Sequence, residues 1–234
     1  MTPYQKLLHQ IDLIEERIGY VFQNKELLAL AFIHRSFYNE HRSELTGHNE
    51  RLEFLGDSIL NFLVSHYLYQ ECPSLSEGDL SHLRSQLVDS SMCSKLLETL
   101  SLSEFVLLGR GEKINQGQNK ESIQADLFEA LLAAIFLDGG MEVVKVFFWS
   151  HFLEKISQSL KEPSRNWKAE LQEYAQKRYQ KPPIYKVLSE TGPDHNKRFE
   201  VMACIGSLEL KEGSGFSKKE AEQEAAKASL MSLT

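Results

Sequence analysis

The chain has 234 residues and carries 26 Lys+Arg against 33 Asp+Glu, a formal charge of −7. That length suits one large or two small domains, and 42% hydrophobic with 25% charged residues excludes a wholly disordered chain. The longest apolar run, Ala130 to Leu137, is eight residues, far short of a membrane span. The opening MTPYQKLLHQIDLIEER sets charges where an export signal needs its apolar stretch, so no export is expected. Cys72, Cys93 and Cys204 are odd in number, widely spaced and form no CxxC. They fit a reducing, cytoplasmic setting without a disulfide framework or zinc knuckle. Read as an average, the negative charge also argues against a polyanionic partner.

In chain order, apolar residues recur at helical spacing through residues 7–18, 25–37, 52–69, 80–100, 123–138 and 143–160. Gly and Pro punctuate them at Gly47, Pro73, Gly78, Gly111 and Gly139-Gly140. Residues 109–124 are polar and poor in apolar side chains, which predicts a mobile loop. A break at Lys161-Glu162-Pro163-Ser164 separates halves of different charge. The part up to Pro163 has 14 basic and 23 acidic residues, a net of −9, and the remainder has 12 and 10, a net of +2. The second part predicts a helix over 167–179, strands over 184–191, 198–205 and 207–213, and a last helix from Ser217. Ser217 with Glu220 forms the capping-box spacing that starts a helix. The expected architecture is therefore an all-α domain over 1–160, a linker over 161–164 and a small α+β domain over 165–234.

The segment HNERLEFLGDSILNFLVSHYLY carries an anomaly. Glu50, Glu53 and Asp57 lie at i, i+3 and i+7, on one helix face, among Leu52, Phe54, Leu55, Ile59 and Leu60. SIQADLFEALLAAIFLDGG repeats it with Asp126 and Glu129 at i, i+3. A single acid in such a helix is usually paired or exposed, and Arg51 and Arg84 are available as partners. Four or five acids on two apolar helices instead repel one another and take up protons unless a cation neutralises them. All-carboxylate ligation suits a hard ion such as Mg²⁺, with Mn²⁺ a plausible substitute. A ferritin-like di-iron site would need Glu-x-x-His, and none of Glu50, Glu53 or Glu129 has that histidine. His34, His66, His82 and His151 are scattered without zinc-ligand spacing.

HNERLEFLGDS resembles the signature of the ribonuclease III family along its whole length, and ESIQADLFEALLAAIFLDGG resembles that family's second acidic motif. LSEGDLSHLRSQLV and GRGE extend the likeness over the helical half. The resemblance implies a homodimeric, helical endonuclease domain that cuts both strands of double-stranded RNA. It implies that Glu53, Asp126 and Glu129 ligate a catalytic divalent ion, with Glu129 catalytic. Asp57 would join through water or a second ion and help activate the attacking water. Glu50 and Glu77 match further acidic positions, and Phe54 a hydrophobic dimer contact. The products would carry 5′-phosphate and 3′-hydroxyl ends with short 3′ overhangs. The implied substrates are precursors of ribosomal RNA and some messenger and transfer RNA precursors. No organic cofactor and no membrane enter this reading.

The second half resembles a double-stranded-RNA-binding domain in its α-β-β-β-α order. In WKAELQEYAQKRY, Gln172 and Gln176 stand one turn apart, and amides there can meet ribose 2′-hydroxyls in the shallow minor groove. His195, in GPDHNKRF, matches the family's second minor-groove contact. Ser217, Lys218 and Lys219 open the last helix, where free N–H groups and two ammonium groups favour phosphate. Two other classes compete: an inert RNA-binding relative and a metal-dependent helical enzyme acting on nucleotides. Retention of Glu53, Asp57, Asp126 and Glu129 opposes the first, and the RNA-binding pattern opposes the second.

Overall fold

The structure, a computed structural model, describes residues 1–161, 167–192 and 197–233. Residues 162–164 of the expected linker, and His195, lie outside the described residues. The chain divides into two compact units, Met1–Pro163 and Ser164–Thr234.

The first unit is helical: α1 (Pro3–His9), α2 (Ile11–Ile18), α3 (Lys25–Ala31), α4 (Arg35–Glu40), α5 (Glu50–Glu71), α6 (Glu77–Leu87), α7 (Ser90–Leu100), α8 (Arg110–Ile114) and α9 (Glu121–Lys161). Helix α9 is broken at Gly140, whose φ of 80° and ψ of 178° interrupt the helical backbone where the Gly-Gly pair stands. Its first half is largely buried and forms the centre of the core, and α3, α5 and α7 all pack on α9. Phe128, Leu131, Leu132, Ala133 and Ile135 are completely buried there. The Asp138 carboxylate ends this stretch by accepting Tyr20 Oη at 2.7 Å and the backbone N–H groups of Gln23 and Asn24 at 2.9 and 2.8 Å.

Three long helical expectations are each two helices. The segment 7–18 divides at Gln10, whose N–H closes on Leu7 at 2.9 Å. The segment 80–100 divides at Asp89, whose carboxylate accepts the Met92 N–H at 2.7 Å and starts α7 anew. The segment 25–37 divides because Ile33 leaves the helix to form a parallel bridge with Leu107, after which His34 Nδ1 caps α4. Residues 109–124 are not simply a loop: they hold α8 and a turn of 3₁₀ helix at Gly117–Asn119. Polar contacts do there what apolar ones do elsewhere. Gly109 donates to Ser36 Oγ at 2.9 Å, Arg110 N–H to Glu40 Oε1 at 2.9 Å, and Lys120 pairs with Glu112 at 2.6 Å.

The second unit runs α10 (Trp167–Tyr179), β1 (Pro183–Thr191), β2 (Arg198–Ile205), β3 (Leu208–Gly215) and α11 (Lys218–Leu233). The strands form an antiparallel sheet in the order β1-β2-β3. Leu171 and Ala175 of α10, Ala203 and Ile205 of β2, and Ala225 and Ala226 of α11 make a small core. Small residues let α11 lie close on β3: a Cβ on Gly213 would meet the Ala225 backbone nitrogen at 2.0 Å.

Candidate functional site

Helix α5 places Glu50 and Glu53 in its first turn and Asp57 one turn further on. Its buried stripe, Leu52, Gly56, Ile59, Leu60 and Leu63, packs against α9, which carries Asp126 and Glu129. The two helices close on each other at Gly56, where the Glu129 main chain occupies the space of a side chain. The acidic faces of α5 and α9 therefore meet at the rim of the core.

Burial and like charge act together on these acids. Burial raises the Glu53 pKa to about 7, helped by Asp126, Glu50 and Asp57. Burial likewise raises Glu129 to about 8, helped by Asp57, Glu53 and Asp126. Asp126 is raised by burial and by Glu50. The Cys93 thiol beneath is pushed up by burial and by the charge of Glu129. Asp57, exposed like Glu50, is steadied by Asn61 Nδ2, which donates to its carboxylate at 2.8 Å.

Among the described residues Glu50 alone of these acids has a cationic partner, Arg35 at 3.2 Å, with His48 Nδ1 at 3.8 Å from its other oxygen. Arg84 donates to Ser65 Oγ at 3.1 Å and leaves the acids unneutralised. Glu77 is exposed on the first turn of α6, accepting the Ser81 hydroxyl at 2.9 Å. No three acid, histidine or cysteine side chains among the described residues already converge tightly enough to hold a metal ion. The donor set nonetheless suits a hard divalent cation. Glu53, Asp57, Asp126 and Glu129 supply only oxygen ligands, and their mutual repulsion is what such an ion relieves.

In the second unit Gln172 and Gln176 line a groove on the outer side of α10 with Ala169, Glu173 and Lys177. Ser217 Oγ accepts the Glu220 N–H at 3.2 Å and starts α11, while the Glu220 carboxylate accepts the Phe216 N–H at 2.7 Å. Lys219 is exposed, and the Lys218 ammonium lies 5.6 Å from the centre of the Phe199 ring.

Residues 24–156 match the model of a ribonuclease-III-like family, and residues 167–233 match the double-stranded RNA binding motif. The chain belongs to the ribonuclease III family. It is 52% identical to Ribonuclease 3 of Protochlamydia amoebophila over 97% of this chain and 93% of that one. It is 42% identical to Ribonuclease 3 of Bacillus licheniformis over 98% and 92%. The nuclease domain of ribonuclease III from Campylobacter jejuni, described for its flexibility in a region involved in dimer formation, superposes with a TM-score of 0.54. That match has 37% identity and covers 60% of this chain and 96% of the other. Like the family, the chain is an endoribonuclease specific for double-stranded RNA. No helix among the described residues is long and apolar enough to cross a membrane.

Sequence reasoning missed two contributors. Asn61 sits four residues after Asp57, a spacing that pairs side chains on a helix. Gly56 is the other, and nothing in the sequence marks its neighbour as the Glu129 backbone.

Proposed function

We propose that residues 1–160 are a Mg²⁺-dependent catalytic domain that works as a homodimer, and that residues 165–234 deliver it to duplex RNA. The observation that carries this reading is the acid group of α5 and α9, gathered where the two helices pack and raised in pKa first by burial and then by its own like charges. Glu53, Asp126 and Glu129 would hold the ion, and Mn²⁺ could replace it. Bound there, the ion supplies the positive charge that activates water at neutral pH and stabilises the charge developing on the phosphodiester.

Asp57, exposed and held by Asn61, is the base that orients and takes a proton from the attacking water. Glu129, backed by the main chain of Gly56, fixes the opposite wall of the site. Glu50, already paired with Arg35, contributes negative charge at the edge, and Glu77 acts only if a partner copy or substrate brings it near. Phe54, 79% exposed beside the acids, is a surface for a second copy. Two symmetric sites would cut opposite strands and leave 5′-phosphate and 3′-hydroxyl ends with short 3′ overhangs. Gln172, Gln176, His195, Ser217, Lys218 and Lys219 would grip the duplex without reading its sequence. The substrates we infer are precursors of ribosomal RNA and some messenger and transfer RNA precursors, in the cytoplasm, where three unpaired cysteines are stable.

The test is incubation with a long RNA duplex in Mg²⁺ and in EDTA, followed by mapping of product ends. Staggered cuts with 5′-phosphates in Mg²⁺ alone are expected. Cutting unaffected by EDTA would refute the ion's role.

A further inference from the structure

Between α10, β1 and the first turns of α11 lies a cavity of about 460 Å³ lined by Lys168, Gln172, Pro183, Tyr185, Lys219 and Gln223. It joins two places already assigned to RNA, the amide stripe of α10 and the lysines of α11, so a strand touching both Gln172 and Lys219 spans its mouth. Lys168 stands four residues before Gln172 and eight before Gln176, on the same helix face. It extends that stripe by one turn with a full positive charge.

That charge is already engaged. The Lys168 ammonium donates to the Glu222 carboxylate, and it lies 4.9 Å from the centre of the Tyr185 ring. Its backbone N–H donates to Gln223 Oε1 at 3.2 Å, tying the start of α10 to α11. The Tyr185 hydroxyl below is buried with no hydrogen-bond partner among the described residues. Glu222 follows Lys219 by three residues, so its carboxylate sits one turn behind the proposed phosphate contacts, in a place where negative charge opposes RNA. A carboxylate and a phosphate offer an ammonium the same kind of acceptor.

We propose that this cavity is a subsite for a backbone phosphate of duplex RNA, and that Glu222 limits its use by holding Lys168 in the phosphate's stead. Glu222 is thereby a determinant of how tightly the module grips, and Lys168 is a latent phosphate ligand. This rests on the reading that α10 and α11 face the duplex.

The test uses the full chain and a 20-base-pair RNA duplex in EDTA, so that nothing is cut, with affinity measured from low to high salt. Each phosphate contact contributes a slope of about −0.9 in log affinity against log salt, for B-form DNA, taken here as a guide for an RNA duplex. Glu222→Gln frees Lys168 and should bind about fivefold tighter at 0.15 M salt, with a slope steeper by about 0.9. The double variant Lys168→Gln/Glu222→Gln, with both charges removed, should return to the wild-type affinity and slope. The proposal is overturned if Glu222→Gln binds like wild type, or if its gain persists in the double variant. Lys219→Gln is the reference. Its slope should flatten by about 0.9, and an unchanged slope would refute the placement of α11 on phosphate itself, whatever Glu222 does.

Discussion

Gly56 and Glu129 meet backbone to backbone: a Cβ on Gly56 would stand 1.8 Å from the Glu129 carbonyl oxygen and 2.4 Å from its carbonyl carbon. No side-chain rotation relieves such a contact, because the obstructing atoms are main chain. The glycine therefore sets the distance between the acids of α5 and those of α9. Gly56→Ala gains helix propensity yet must push the helices apart, at an overpacking cost of about 1–3 kcal/mol. Urea unfolding should show that loss, and cutting should fall further than stability does. A variant as stable and active as wild type would mean that the spacing is not set there.

The acid group makes stability depend on pH in an uncommon direction. Glu129 ordinarily titrates near 4.5 and in the folded chain near 8, and Glu53 near 7. Between those values the folded state keeps protons that the unfolded chain has released, so stability falls as pH rises. The loss begins above about 4.5 and is complete above about 8. In EDTA, melting should drop from pH 5 to pH 8 more in the wild type than in Glu53→Gln/Glu129→Gln, and Mg²⁺ should restore more at pH 8. Equal drops in both proteins would show that these carboxyls are not the cause.

Phe54 tests the second copy. An aromatic ring 79% exposed on α5 gains about 2 kcal/mol when buried. Phe54→Ala should therefore raise the dissociation constant of a dimer about thirtyfold per ring in sedimentation measurements. A wild-type chain that sediments as a monomer at all concentrations would contradict the dimer.

The two kinds of RNA contact separate by salt. Lys218→Gln/Lys219→Gln removes phosphate contacts and should flatten the slope of log affinity against log salt by about 1.8, using the B-form DNA value as a guide. Gln172→Ala should weaken binding with the slope unchanged and erode the preference for RNA over DNA duplexes, since 2′-hydroxyls are what its amide can distinguish. A flattened slope for Gln172→Ala would assign it to phosphate instead.

How much of this was legible in the sequence follows from what kind of signal each feature leaves. The acids of α5 and α9 announced themselves because charge inside an apolar period is costly. The order of α10, the three strands and α11 was legible from a change of period and from Gly and Pro. The divisions at Gln10 and Asp89 were hidden because the apolar spacing continues through both and only the caps reveal them. Helix α8 was hidden because polar ties to Ser36 and Glu40, distant in sequence, hold its start. The Lys168–Glu222 pair was hidden for the same reason: its members are far apart in the chain and adjacent only once α10 and α11 pack. The net charge of −7 was misleading as an average, since part of it belongs to a group suited to a divalent cation.

The central claim, that the acids of α5 and α9 are the ion site of the nuclease, is tested most directly by Glu129→Gln, an isosteric change that removes one charge. Duplex cleavage in Mg²⁺ and duplex binding in EDTA are measured on the same preparation. The account predicts binding equal to wild type with cleavage abolished. Normal cleavage by Glu129→Gln in Mg²⁺ would contradict it.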